Sequence, residues 1–210
     1  MALVKYNNNS ISSITAASSL PTGAMTLIKS QTASSSSTIS FVDGTSDVVL
    51  DSTYPIYLFK FINCHPQTDG KGLQFNVSID SGSNYNVAKT STHFRSYHYE
   101  NDSDAGIGYV AAHDLAQGTG FQDLTEGGIS NDNDGCLSGS LQIFSPSSTT
   151  FVKHFIGTFS IMKGAGGGLL VNSYVAGYAN TASAVNAVQF KMDSGNIDAG
   201  TIKLYGIKDS

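Results

Sequence analysis

Alternation of apolar and polar residues every second position dominates this sequence, and it commits the backbone to extended strands. LQFNVSID is the cleanest instance: Leu73, Phe75, Val77 and Ile79 are expected to face inward, with Gln74, Asn76 and Ser78 outward. AMTLIKS and TISFVDG repeat the pattern, the latter placing Ile39 and Phe41 on one face. YPIYLFKFIN alternates Ile56, Leu58 and Lys60 with Tyr57, Phe59 and Phe61. Its nearly continuous apolar character predicts a central strand covered on both faces.

THFRSYHYE, CLSGSLQIFS, TTFVKHFIGTFSIMK, LLVNSYVAGYAN, AVQFKM and TIKLYGI continue the series. The separators DSGSN, SPSS, GAGGG and DSGNIDAG are built from turn-forming residues. About ten such strands predict an all-β, single-domain antiparallel β-sandwich, plausibly a jelly roll. One stretch departs from the pattern: in GIGYVAAHDLAQG, Tyr109, Ala112 and Leu115 recur at spacings of three, which allows one short helix.

The chain has 210 residues, a length that fits one domain. Residues 1–38 are polar and low in charge, and read as an N-terminal arm or leader strand ahead of a sandwich over 39–210. An arm of this kind suits an extended contact along a neighbouring subunit's sheet edge.

Only 13% of residues are charged, so the surface must be made largely of Ser, Thr, Asn and Gly. A net charge of -5 without a Lys/Arg cluster argues against nucleic acid and against an anionic membrane surface. No apolar run approaches the roughly 20 residues of a membrane-spanning helix. MALVKYNNNS lacks a secretory n-region and h-region, so synthesis in the cytoplasm is expected. Cys64 and Cys136 are too few for a disulfide framework; Cys64, in FKFINCH, reads as a small buried hydrophobe.

Candidate chemistry is sparse. In ISNDNDGC, Asp132 and Asp134 take the third and fifth positions of a calcium loop if Gly135 is the sixth. The twelfth position is then Leu141, where calcium needs a bidentate Glu, so an Asn/Asp turn is the simpler reading. His65, His93, His98, His113 and His154 show no spacing that aims two imidazoles at one metal. His93 and His98, five apart on a strand, are expected on opposite faces. His113-Asp114 has the composition of an acid–base pair but no nearby nucleophile.

No G-x-S-x-G elbow exists, and GAGGG at 164–168 lacks the Lys-Ser/Thr end of a phosphate loop. Acidic residues sit mainly in turn-rich stretches, as at Glu100 to Asp104, and Trp is absent. No enzymatic activity, cofactor or metal is therefore expected. Tyr85, Tyr97, Tyr99, Tyr174, Tyr178 and Tyr205 lie in or beside strands, as rim packing or as a contact face.

TYPIYLFKFINCHP, SSTTFVKHF, YVAGYANTASAVNAVQFKM and SGNIDAGTIKLYGIK together resemble small virion-associated proteins of tailed bacteriophages, especially those of marine origin. The resemblance is strongest from about Thr149 to Lys208. It implies a non-enzymatic accessory structural protein of the phage particle, a capsid decoration or a tail or fibre component. Its partners would be other virion proteins and copies of itself, with a trimer favoured. A receptor- or glycan-binding tip module is the alternative, and a polysaccharide hydrolase a lesser one. No functional residue is carried over.

Overall fold

The computed structural model describes residues 24–163 and 168–208. Among them are twelve strands. They are β1 (Met25–Thr32), β2 (Ile39–Val42), β3 (Ile56–Pro66), β4 (Leu73–Ser78), β5 (Lys89–Tyr99), β6 (Ala105–Tyr109), β7 (Gln122–Asp123), β8 (Leu137–Phe144), β9 (Lys153–Lys163), β10 (Leu169–Ala179), β11 (Ala187–Met192) and β12 (Ile197–Ile207). They form an eight-stranded sheet, β1-β12-β3-β8-β9-β10-β5-β6, and a four-stranded sheet, β2-β11-β4-β7. All pairings between these strands are antiparallel, and the two sheets pack as a sandwich.

Aromatic residues at alternate strand positions fill the space between the sheets. Phe190 on β11 is central: its ring lies 5.1 Å from Phe59, 5.0 Å from Phe61 and 6.2 Å from Phe41. These contacts are edge-on, the arrangement that ring quadrupoles favour. Phe75 meets Phe155, and Phe61 meets Phe159, in the same way. The inward face of β12 adds Ile202 and Leu204.

The C-terminal strand lies inside the large sheet, between β1 and β3. It begins earlier than its turn-like composition suggests, with IDAG already paired to β3 through two register shifts. Gly200 makes the second shift possible. Its φ is 113°, and a Cβ there would stand 2.5 Å from the Cys64 Cα. Gly206 lets Tyr54 lie directly on the strand, since a Cβ would meet that ring at 2.4 Å.

Three expectations need correction. Residues 106–109 of the stretch that allowed a short helix belong to β6, and the positions that follow, through Gln117, are turn and irregular backbone. Four glycines in or beside that window deny a helix the propensity it would need. In LQFNVSID the strand stops at Ser78 and Ile79 is 43% exposed. Asn76 and Ser78 are fully buried because the chain near Tyr85 and Thr119 closes over that face of β4. β3 is central as expected, but its outward face is covered only at Leu58; Lys60 and Ile62 are exposed.

Met25–Thr32 join the large sheet as an edge strand, and Ala33 enters the core, so this part of the expected arm is integral to the sandwich. Residues 1–23 lie outside the described residues, as does the GAGGG turn apart from Gly168. Cys64 and Cys136 are free thiols, and burial pushes the Cys64 thiol up to about 12.

Candidate functional site

Along β5 the large sheet reverses the usual polarity, whereas the inward faces of its neighbours β9 and β10 keep core residues such as Phe155, Phe159, Val171 and Val175. The inward positions of β5 are Lys89, Ser91, His93, Arg95 and Tyr97, where a sandwich ordinarily presents apolar side chains. The segment from Val110 to Gly118 runs beside β5, hydrogen bonding His93 O, Ser91 N and Lys89 N. The chain from Gln122 to Glu126 closes the layer beneath.

Each inward polar group meets a distinct environment. Lys89 Nζ donates to Asn76 Oδ1 at 2.6 Å and to Val87 O at 2.8 Å, and burial pulls its pKa down to about 7. Ser91 Oγ donates to Gln122 Oε1 at 2.5 Å and accepts the Leu115 N–H at 2.9 Å. Arg95 and Lys163 both hydrogen bond Glu126, whose side chain is 3% exposed. Burial raises the Glu126 pKa, but the two cations outweigh it and hold the carboxyl below its ordinary value.

His93 is fully buried with both ring nitrogens unpartnered. Its ring lies 5.5 Å from that of His113, and desolvation, then the neighbouring imidazole, lowers its pKa to about 4. His113 Nδ1 hydrogen bonds Asp123 Oδ2 at 2.7 Å; that bond raises the His113 pKa against the opposing effect of burial. The result is an internal scaffold that ties the 110–128 segment to β5.

The outward face of β5, β6, β9 and β10 carries exposed aromatic and aliphatic side chains. Phe94 on β5 stacks on Tyr174 of β10, with centroids 4.8 Å apart and planes at 12°. Around them Ile156, Leu170, Tyr109 and Ile107 are exposed, Ile156 by 52% and Ile107 by 81%. Cross-strand register places Tyr109 beside Phe94 and Ala176 between Thr92 and Ile156. A shallow groove of about 410 Å³ runs here over Ala176, flanked by Thr92, His154, Ile156 and Tyr178. Across β8, β9, β10, β5 and β6 the outward positions hold no Asp, Glu, Lys or Arg.

The residues considered from sequence are dispersed. Asp132 and Asp134 are exposed in a turn in which Ser130 Oγ donates to Asp132 Oδ2 and Gly135 N–H donates to Asp132 O. Among the described residues no group of three or more His, Cys, Asp or Glu side chains could hold a metal ion. His93 and His98 do face opposite ways, His98 pairing with Asp102 at the surface. His65 lies 3.6 Å from Asp198, and His154 packs edge-on against Tyr178.

The His93–His113 approach escaped sequence reasoning because 20 positions and a loop separate them. The available signal was in KTSTHFRSY itself: alternate positions carry Lys, Ser, His and Arg, while Phe94 falls on the other face.

Comparison with protein families, with curated proteins and with solved structures found no match.

Proposed function

We propose that the chain is a non-enzymatic structural subunit that assembles with copies of itself through the outward face of β8, β9, β10, β5 and β6. The observation that carries this reading is the outward face itself, free of Asp, Glu, Lys and Arg, with Phe94, Ile107, Tyr109, Ile156 and Leu170 exposed, while β5 turns Lys89, Ser91, His93 and Arg95 inward. An uncharged face is cheap to desolvate, because no ion has to leave water unpaired. Five strands about 4.8 Å apart, with residues rising about 3.3 Å, present on the order of 700 Å² of sheet, close to one side of a standard interface. Within it Phe94, Ile107, Tyr109, Ile156 and Leu170 are exposed among neutral polar residues, and clustered exposed apolar groups of this kind mark interaction surfaces.

The particle setting rests on the resemblance to virion-associated proteins of tailed phages. A capsid decoration or a tail or fibre component needs a rigid scaffold and a broad neutral contact, and this sandwich supplies both. A glycan-binding tip is the second reading, favoured by the groove beside Tyr178. The Phe94–Tyr174 stack weighs against it, because each ring spends one face on the other.

Sedimentation of the isolated protein tests the assembly. The wild-type chain is expected to sediment as a closed oligomer, a trimer by preference. Phe94→Glu/Ile156→Glu should sediment as a folded monomer. A wild-type monomer at all concentrations, or an oligomer indifferent to the double substitution, overturns the reading. Mass spectrometry of purified particles tests the setting: the chain should be stoichiometric with other structural proteins. Glycan binding by the folded monomeric variant would favour the tip module.

A further inference from the structure

Two buried lysines stand in one row across the large sheet. Lys89 on β5 and Lys153 on β9 are both cross-strand partners of Ala179 on β10. Both are almost wholly buried, and neither pairs with a carboxylate among the described residues. They differ in what their amines meet. Lys153 Nζ donates to two backbone carbonyls, Phe151 O and Thr181 O. Lys89 Nζ faces one backbone carbonyl and one side-chain amide, that of Asn76.

The Asn76 amide is held from every side. Its Oδ1 accepts from Lys89 Nζ at 2.6 Å and from the Val77 N–H at 2.8 Å. Its Nδ2 faces three carbonyl oxygens, Tyr85 O, Thr119 O and Gly120 O, at 2.6 to 3.3 Å. Donors on one atom and acceptors around the other fix which is oxygen and which is nitrogen. Both residues are sealed from water. An amine and an amide carbonyl are thus kept in contact at one site, the situation in which proximity replaces concentration.

We propose that Lys89 and Asn76 become joined after folding by an intramolecular isopeptide bond. The lone pair of Nζ adds to Asn76 Cγ, and the carbonyl electrons move to Oδ1, where the Val77 N–H holds the developing negative charge. A proton passes from Nζ to Nδ2, whose three surrounding carbonyl oxygens favour the cationic nitrogen. The Cγ–Nδ2 bond then breaks with its electron pair, the carbonyl re-forms and ammonia leaves. Nothing is oxidised or reduced.

Burial without a countercharge supplies the neutral amine this step needs, since the Lys89 pKa falls to about 7. No carboxylate is among the hydrogen-bond partners of either group among the described residues, so the proton moves directly between nitrogens. The bond therefore forms slowly, as a maturation of the folded chain. It links β5 of the large sheet to β4 of the small one, a covalent tie across the sandwich. This inference is independent of the assembly proposed above.

Intact-mass spectrometry of the full chain, followed during incubation at about pH 8, is the test. The expected result is a progressive loss of one ammonia, with a branched peptide after digestion that joins the Lys89 and Asn76 segments. Lys153→Met should mature in the same way, and Lys89→Met should not. A folded wild-type chain that keeps its full mass after prolonged incubation overturns the proposal. So does an ammonia loss that persists in Lys89→Met, as from succinimide formation at another asparagine.

Discussion

Replacing His93 by Leu removes a buried titratable ring without removing a hydrogen bond, because neither ring nitrogen has a partner. The charged groups around it are His113, Asp123, Glu126 and Asp114. The unfolded chain takes up a proton at His93 near the ordinary value of 6.5, whereas the folded chain does so only near 4. The contribution of His93 to stability is therefore complete above about pH 6.5 and declines as pH falls toward 4, because the unfolded state binds the proton first. The whole interval is worth about 3 kcal/mol, and the part between about pH 7.5 and pH 5 about 2 kcal/mol.

His113 has a raised pKa, so its contribution has the opposite sign: it is present below 6.5 and lost as pH rises through the folded value. The Glu126 carboxyl is held below its ordinary value, so its contribution is lost only under more acid conditions than this window. Comparing wild type with His93→Leu isolates the one residue from both. Urea denaturation at the two pH values should show the wild type weakening by about 2 kcal/mol more than the variant on acidification. At pH 7.5 the variant should be within about 1.5 kcal/mol of wild type, the tolerance of a size-conserving core exchange. An unchanged pH slope in His93→Leu, or a large loss at pH 7.5, would refute the reasoning.

Glu126→Gln should cost about 3 kcal/mol in urea denaturation at neutral pH, because Arg95 and Lys163 then face each other without their carboxylate. Loss of the ring at the centre of the sandwich, Phe190→Ala, should cost about 3 to 5 kcal/mol by the same assay, and a value below 1 would mean the core is not built around it. Gly206→Ala should lower the thermal midpoint by a few degrees, equivalent to about 1 to 3 kcal/mol, as its methyl drives into the Tyr54 ring.

The sandwich was legible because its signal is local. Alternation in YPIYLFKFIN and AVQFKM, with Gly- and Ser-rich separators, places Phe59, Phe61 and Phe190 on core faces without knowledge of their partners. β6 was hidden because AGIGY is exposed on alternate positions and half glycine-lined, so nothing in it alternates toward a core. β12 was legible from Thr201 onward but not from Ile197, where pairing with β3 overrides turn propensity through bulges. The polar layer beneath β5 was illegible as a site: Lys89 meets Asn76, and Arg95 meets Glu126, only after β4 and the 110–128 segment fold over the strand. The outward aromatic face follows from the same strand, since fixing Lys89, Ser91, His93 and Arg95 inward forces Phe94 out.

Hydroxyl-radical footprinting of the wild-type protein, at dilutions above and below its association midpoint, tests the assembly face most directly. Assembly through β8, β9, β10, β5 and β6 predicts that Phe94, Ile107, Tyr109, Ile156, Leu170 and Tyr174 lose reactivity together on association. Exposed residues elsewhere, such as Phe151 and Ile79, should keep theirs. Protection at Phe151 or Ile79 while Phe94 and Ile156 stay reactive would contradict it.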